Sequence, residues 1–236
     1  MTRHERRLAE REALKHPSTK SSGGLSRSSL LPIVLIAAVG IGAIIWAIAH
    51  GSSTAATTAG TSGSANAPLV TPVAYDPKPS MLPLGSVAPN FSVRDAAGDA
   101  YTLAESRGHP VVLEFFATWC THCHHEAPVI HKLAAAYGPK NVSFMAIVAN
   151  PYGPAYEATN GKDTSLVTAN DLKYYRQTYK ADYPLFYESN FKAANRYGAN
   201  SYPTIYVIDK SGKVAFHTQG EIPYATLAKV LDRTLK

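Results

Sequence analysis

The amino-acid sequence predicts an α/β domain with a central mixed sheet flanked by helices, preceded by a transmembrane segment and a flexible linker. Short apolar runs alternate with helical stretches over residues 81–236, which is typical of strands joined by crossover helices. A four-residue turn at 209–212 joins the last two strands, and so tight a hairpin makes that pair antiparallel. A single uncharged run of twenty residues stands upstream of this pattern.

That run, residues 30–49, reads LLPIVLIAAVGIGAIIWAIA. About 20 helical residues span a hydrocarbon core of about 30 Å, so the run is predicted to be a membrane anchor. Residues 1–29 hold seven Lys/Arg against three Glu, which by the positive-inside rule places them in the cytoplasm. The rest of the chain is then extracytoplasmic. An alternative is a cleaved signal peptide, because Ala47-Ile48-Ala49 resembles a cleavage site.

Residues 50–80 are small, polar and punctuated by Pro and Gly, and predict a flexible linker. Residues 81–236 then form one domain of ordinary size. Most of the net charge of +6 lies in residues 1–29, so it reflects topology, and no basic stripe in the domain favours nucleic-acid binding.

The domain's elements can be placed in order. The strands are predicted near residues 88–93, 101–103, 110–117, 142–148, 184–187, 204–208 and 213–217. The helices are predicted over 120–137, 171–180 with Asn170 as its cap, 191–197, and a last one opened by Pro223. Residues 150–168 form a long connection without a predicted element.

The chain has only two cysteines, Cys120 and Cys123, separated by two residues. A disulfide across so short a loop adds little entropic stabilisation, so a structural role explains the pair poorly. The pair lies where a predicted strand ends and a helix begins. Unpaired backbone N–H groups and the positive end of the helix dipole favour a thiolate at Cys120 there. This arrangement predicts redox chemistry.

The run Val112-Leu113-Glu114-Phe115-Phe116-Ala117-Thr118-Trp119-Cys120-Thr121-His122-Cys123 resembles the active-site segment of the thioredoxin superfamily. Pro128, five residues after the second cysteine, and Tyr202-Pro203-Thr204 resemble that superfamily's helix proline and cis-proline loop. The segments 88–91 and 108–113 resemble the membrane-tethered, extracytoplasmic TlpA/ResA branch. The resemblance covers roughly residues 84–235 and implies a thioredoxin-like fold.

The resemblance also implies roles for individual residues. Cys120 is the exposed nucleophile that forms a mixed disulfide with a protein substrate, and Cys123 resolves it. Glu114 corresponds to a buried acid with a raised pKa, and Glu126 to an acid near the active site of the ResA-like branch. Which of the two moves the proton stays open. The residues expected to modulate the site or line a substrate groove are Trp119, Thr121, His122, Tyr202 and Pro203.

Four histidines lie close to the cysteines in sequence: His122, His124, His125 and His131. Their pattern also fits covalent haem attachment or a Cys/His metal site, so a metal or haem carrier is the alternative from another class. Consecutive helical positions do not share a face, so no metal site is predicted. His124, His125 and His131 are expected on a solvated helix face. His122, between the cysteines, is expected to stabilise the Cys120 thiolate when charged.

The predicted function is therefore thiol–disulfide exchange with protein substrates and a redox partner, with the cysteine pair in place of a cofactor. The TlpA/ResA resemblance implies a disulfide reductase, often acting in cytochrome c maturation. The Thr121-His122 dipeptide, with Glu114-Phe115-Phe116 upstream, resembles DsbA-like oxidants instead, so the direction of electron flow stays open. A thiol peroxidase is disfavoured because P-x-x-x-T-x-x-C is absent around Cys120.

Overall fold

The computed structural model describes residues 64–71 and 80–236. The predicted basic segment, membrane anchor and most of the linker lie outside these residues. None of the helices in the described ranges is both long and apolar enough to span a bilayer.

Seven strands form one mixed sheet in the described domain. They are β1 (Ser92–Asp95), β2 (Ala100–Thr102), β3 (Val111–Phe116), β4 (Ser143–Val148), β5 (Leu185–Tyr187), β6 (Thr204–Ile208) and β7 (Val214–Gln219). Their order across the sheet is β2-β1-β5-β4-β3-β6-β7. The β3–β4 and β4–β5 pairs are parallel, whereas the other neighbours are antiparallel, including the β6–β7 hairpin. The mixed sheet is as predicted.

Four helices connect or follow these strands. They are α1 (Thr121–Tyr137), α2 (Ala169–Tyr179), α3 (Lys192–Arg196) and α4 (Tyr224–Thr234). Short 3-10 turns cover Leu103–Ser106 and Gly138–Lys140. α1 contacts α2 and α4. Every predicted helix is present, with boundaries that differ by one or two residues.

The central strand β3 positions the site. The six residues of β3, VVLEFF, are all buried, and the strand lies between β4 and β6 in the sheet. Phe115 and Phe116 are fully buried with aromatic neighbours, Tyr197 and Tyr175 respectively. Burying such a side chain contributes about 1.5–3 kcal/mol. This buried strand therefore fixes the position of the backbone that leads to Cys120, which lies four residues after the end of β3.

The prediction that Asn170 caps the second helix is wrong. Thr168 is the N-cap: its hydroxyl accepts the Asp171 N–H at 3.3 Å, and the Asp171 carboxylate accepts the Thr168 N–H at 2.8 Å. This reciprocal pair satisfies two backbone donors that would otherwise lack partners. Asn170 lies inside the first turn, and its N–H donates to the Ala65 carbonyl.

Residues 64–71 fall within the range predicted as a flexible linker, yet they contact the domain. Leu69 N–H donates to Val167 O at 2.8 Å, and Thr71 N–H donates to Ser189 O at 3.1 Å. Val70 is 3% exposed and belongs to the core. One buried apolar side chain and paired backbone groups were enough to hold this segment, although its composition is mostly polar.

Candidate functional site

Both cysteines lie at the junction between β3 and α1. Cys120 is the N-cap of α1, and Cys123 lies within its first turn. Both are free thiols. Cys123 is fully buried, and Cys120 is only 5% exposed. The exposed nucleophile expected from the sequence is therefore a nearly covered sulfur, because Tyr202 from another part of the chain packs close to it: the Cys120 thiol donates to the Tyr202 carbonyl at 3.5 Å.

The two thiols differ in acidity. The hydrogen bond from the Cys123 thiol, helped by the backbone N–H groups of Cys123 and His122, lowers the pKa of Cys120 to about 7, although burial opposes this. Burial raises the pKa of Cys123 well above that of an ordinary thiol, and the hydrogen bond to Cys120 adds to this. The helix N-terminus thus holds one thiol ready to ionise and keeps the other protonated.

Glu114 is the acid beneath the cysteines. It lies in β3, is 1% exposed, and accepts a hydrogen bond from the Tyr183 hydroxyl at 3.2 Å. Desolvation raises its pKa to about 8, and the nearby charge of Glu126 adds to this. Its other oxygen, Oε1, has no hydrogen-bond partner among the described residues. The sequence expectation of a buried acid with a raised pKa agrees with this geometry.

Glu126 is the second buried acid, one turn of α1 after Cys123. It is 1% exposed, and its Oε2 accepts the Ile222 N–H at 2.9 Å. Desolvation raises its pKa to about 7. Both predicted acids are thus buried and titrate close to neutral pH. The charge of Glu114 acts directly on Cys123 and raises the pKa of that thiol.

The loop before β6 faces the cysteines. The Tyr202–Pro203 peptide bond is cis, as the resemblance implied. Its Tyr202 carbonyl accepts from Cys120, and the Tyr202 hydroxyl donates to the Ala149 carbonyl at 2.9 Å. Pro203 is buried. Tyr202 is therefore held beside the nucleophile by two hydrogen bonds, one through its backbone carbonyl and one through its side-chain hydroxyl.

The long connection at 150–168 supplies an aromatic surface next to the cysteines. Trp119 donates its indole N–H to Asn150 at 3.0 Å and packs on Tyr156, with ring centroids 5.2 Å apart. Tyr152 stacks on Tyr156 at 4.5 Å, and Trp119 meets Tyr202 edge-on at 6.1 Å. These rings form a half-buried wall on one side of Cys120.

The same connection places a carboxylate at the N-terminus of α1. Glu157 accepts both the backbone N–H and the hydroxyl of Thr121, at 3.3 and 2.9 Å. Thr121, which the sequence analysis expects to modulate the site, thus holds this carboxylate through two hydrogen bonds. A negative charge there competes with the Cys120 thiolate for the helix terminus and raises the pKa of Cys120.

The side chain of His122 contacts Glu221. This side chain is 71% exposed, and its Nδ1 lies 2.7 Å from Glu221 Oε1. The hydrogen bond to Glu221 raises the pKa of His122. Glu221 lies in the loop after β7 and pairs with His122. The positive charge of His122 therefore interacts with this carboxylate as well as with the Cys120 sulfur.

The other three histidines have different environments. His125, which is exposed, also contacts Glu221, at 3.3 Å. His131 lies 3.9 Å from Asp182. His124 was expected on a solvated helix face, but it packs against the protein. Its ring stacks on Tyr179 at 3.8 Å, and its Nε2 lies 2.9 Å from Thr118 O. Burial lowers the pKa of His124.

Comparisons with known proteins agree with this arrangement. A profile of the AhpC/TSA family matches residues 84–217. The thiol-disulfide oxidoreductase ResA of Bacillus thuringiensis subsp. konkukian is 30% identical over 67% of this chain and 83% of that protein. The thioredoxin-like protein YneN of Bacillus subtilis is 29% identical over 67% of this chain and 84% of that protein.

A solved structure of a thiol:disulfide interchange protein of the thioredoxin family from Chlorobium tepidum has the same fold. The two superpose with a TM-score of 0.53 at 25% identity, covering 64% of this chain and 97% of that one. The thioredoxin-like fold implied by the sequence resemblance is thereby confirmed. With more than half of its length matched by the family profile, this chain belongs to the AhpC/TSA family and is a thioredoxin-like thiol–disulfide oxidoreductase related to ResA.

Proposed function

We propose that this protein is an extracytoplasmic, membrane-anchored reductase of protein disulfides that works through Cys120 and Cys123. The observation that carries the proposal is the pair itself: a thiol with a pKa of about 7 at a helix N-terminus, backed by a buried thiol of high pKa. Residues 30–49 would supply the anchor, and the basic residues before it the orientation.

The reaction proceeds in two exchanges. The Cys120 thiolate attacks one sulfur of a substrate disulfide, which breaks the S–S bond, forms a mixed disulfide and releases one substrate thiolate. Cys123 then loses its proton and attacks the Cys120 sulfur. This forms the Cys120–Cys123 disulfide and releases the second substrate thiolate. Two electrons pass to the substrate, and a dithiol redox partner restores the reduced pair.

Glu114 is the proposed proton acceptor for Cys123. Its charge acts directly on that thiol, and one of its oxygens has no hydrogen-bond partner among the described residues. A pKa of about 8 keeps a fraction of it ionised near neutral pH, so it can take the proton as Cys123 attacks. Glu126, buried on the neighbouring turn, holds the loop after β7 through Ile222 and raises the pKa of Glu114.

The substrate-binding surface is proposed to extend over the cis-proline loop and the aromatic wall, which meet where Tyr202 contacts Trp119. The Tyr202 backbone beside Cys120 suits pairing with an extended substrate segment. Trp119, next to Tyr202, offers an apolar face with its indole N–H already bound to Asn150. Apolar residues next to a substrate cysteine would therefore be favoured.

Three observations favour a reductant over a DsbA-like oxidant. Strong oxidants stabilise their thiolate to a pKa near 3.5, whereas reducing thioredoxins have values near 7, and Cys120 has about 7. The charge of His122 is shared with Glu221. Glu157 adds a negative charge at the helix N-terminus. The last two features weaken the stabilisation of the Cys120 thiolate, and a less stable thiolate makes the Cys120–Cys123 disulfide harder to reduce.

Replacing Cys123 with alanine should trap the substrate, because the mixed disulfide on Cys120 can no longer be resolved. We expect adducts on non-reducing gels of cells expressing the variant, released by dithiothreitol and identifiable by mass spectrometry. One or a few extracytoplasmic partners, including cytochrome-maturation proteins, would support the reductase.

The matched control is the Cys120→Ser/Cys123→Ala double variant, which should form no adducts. A broad set of secreted proteins captured through Cys120 would instead favour the oxidant. Capture of cytoplasmic proteins alone would contradict the proposed location.

A further inference from the structure

The N-terminal half of α1 and the loop after β7 bring three potential metal ligands together on the surface. They are His122, His125 and Glu221, and one ligand atom from each lies within 4.8 Å of the others. This cluster includes neither the two sulfurs nor the two buried acids of the exchange described above. The two histidines are three residues apart on a helix, a spacing that places side chains on the same face.

The separations suit a small divalent cation. Zinc binds imidazole nitrogen at about 2.0–2.1 Å and carboxylate oxygen at about 2.0–2.2 Å, so tetrahedral ligand atoms are roughly 3.3 Å apart. Glu221 Oε1 lies 2.7 Å from His122 Nδ1 and 3.3 Å from His125 Nδ1. Both Nδ1 atoms therefore already lie close to the same oxygen, and one ligand atom from each of the three residues lies within 4.8 Å of the others.

The third ligand comes from a loop that is held in place. Gly220, before Glu221, donates its N–H to the Pro203 carbonyl at 2.8 Å. Ile222, after it, donates its N–H to the buried Glu126 carboxylate at 2.9 Å and is itself 6% exposed. The backbone of Glu221 is thus fixed on both sides, and its carboxylate contacts both histidines of the helix.

We propose that His122, His125 and Glu221 form a binding site for a divalent transition metal of borderline softness, with Zn²⁺ as the best-matched ion. Two imidazoles and one carboxylate are a ligand set that zinc uses in open sites, where the fourth position is left to water or another ligand. The side chains are 71%, 63% and 43% exposed, so an ion can enter directly from solvent. Consecutive helical positions do not share a face, but His122 and His125 are three residues apart and the third ligand comes from a distant loop.

The site lies close to the nucleophile along the chain, because His122 is one of the two residues between Cys120 and Cys123. A bound cation would therefore lie near Cys120, whose charge already acts on His122. The inference is independent of the direction of electron flow.

Zn²⁺ binding to the full-length protein, measured by calorimetry, tests the inference. The protein is first oxidised, so that the Cys120–Cys123 disulfide cannot bind the ion through thiolates. We expect the His125→Ala and Glu221→Gln variants to lose one equivalent of Zn²⁺ per chain, or to bind it at least about tenfold more weakly. His131→Ala, on the same helix but outside the cluster, should bind like the wild type.

Two results would overturn the site. One is Zn²⁺ binding by His125→Ala and Glu221→Gln that equals the wild type in stoichiometry and affinity. The other is a wild-type protein that binds no more Zn²⁺ than these variants do, which would mean that the cluster is a histidine–carboxylate ion pair only. Circular dichroism that matches the wild type shows that each variant is folded. Unchanged exchange activity of the metal-free His125→Ala variant keeps this outcome separate from that of the proposed function.

Discussion

Cys120→Ser should abolish thiol–disulfide exchange, lowering kcat/KM by at least about 1,000-fold. The hydrogen bond from Cys123, helped by the backbone N–H groups of the first turn of α1, lowers the pKa of Cys120 to about 7, so a large fraction of this thiol is thiolate at neutral pH. A serine hydroxyl in the same position stays protonated and cannot attack a disulfide. The measurement is reduction of a model protein disulfide, followed with each variant at equal concentration.

Cys123→Ala is the matched control for this experiment. It should lose multiple turnover but still release one thiol per chain in a single turnover, because Cys120 attacks normally. Exchange at the wild-type rate by Cys120→Ser would show that a different group is the nucleophile.

Glu114→Gln should remove much of the pH dependence of stability. Glu114 has a pKa of about 8 in the folded protein and about 4.5 when unfolded, so between these values only the folded state keeps the proton. Stability therefore falls as the pH rises through this window, by as much as about 4 kcal/mol for this one group. Glutamine cannot ionise, so urea unfolding of the variant should show a smaller loss between pH 5 and 8.5.

Glu126→Gln is the comparison variant, because Glu126 is also buried but has a pKa of about 7. Its effect should have the same sign, be smaller, and be complete at a lower pH. Equal pH dependence of the wild type and Glu114→Gln would contradict the placement of a neutral acid beneath the cysteines.

Local patterns in the sequence were sufficient for most of the fold. The β6 range was predicted without error, and α1 was placed within one residue, because an apolar run and a Gly-Pro stop define them. The cap of α2 was missed because Thr168 and Asn170 are equally plausible from their side chains alone. Only the contact of Thr168 with Asp171 distinguishes them.

The site was predictable to the extent that it is local. Cys120, Cys123 and Glu114 lie within ten residues of one another, and their spacing matches a known family. Glu157 and Glu221 were missed because each reaches α1 from a distant loop. No signal near either residue marks it, since an isolated Glu in a polar segment is ordinary surface until the fold is known.

The low exposure of Cys120 could not be predicted from the sequence either. The covering group is the Tyr202 backbone, 82 residues away in the chain, and a carbonyl carries no side-chain signature. The aromatic wall arose in the same way, because Tyr152 and Tyr156 lie in a connection without a predicted element and acquire a role only through Trp119.

The rate at which iodoacetamide alkylates the reduced protein, measured against pH with the modified cysteine identified by mass spectrometry, tests the central claim most directly. We expect Cys120 alone to react in the folded protein, with a midpoint near pH 7. A midpoint near 8.5, the value of an ordinary thiol, or modification of Cys123 before Cys120, would contradict a thiolate held at the first turn of α1.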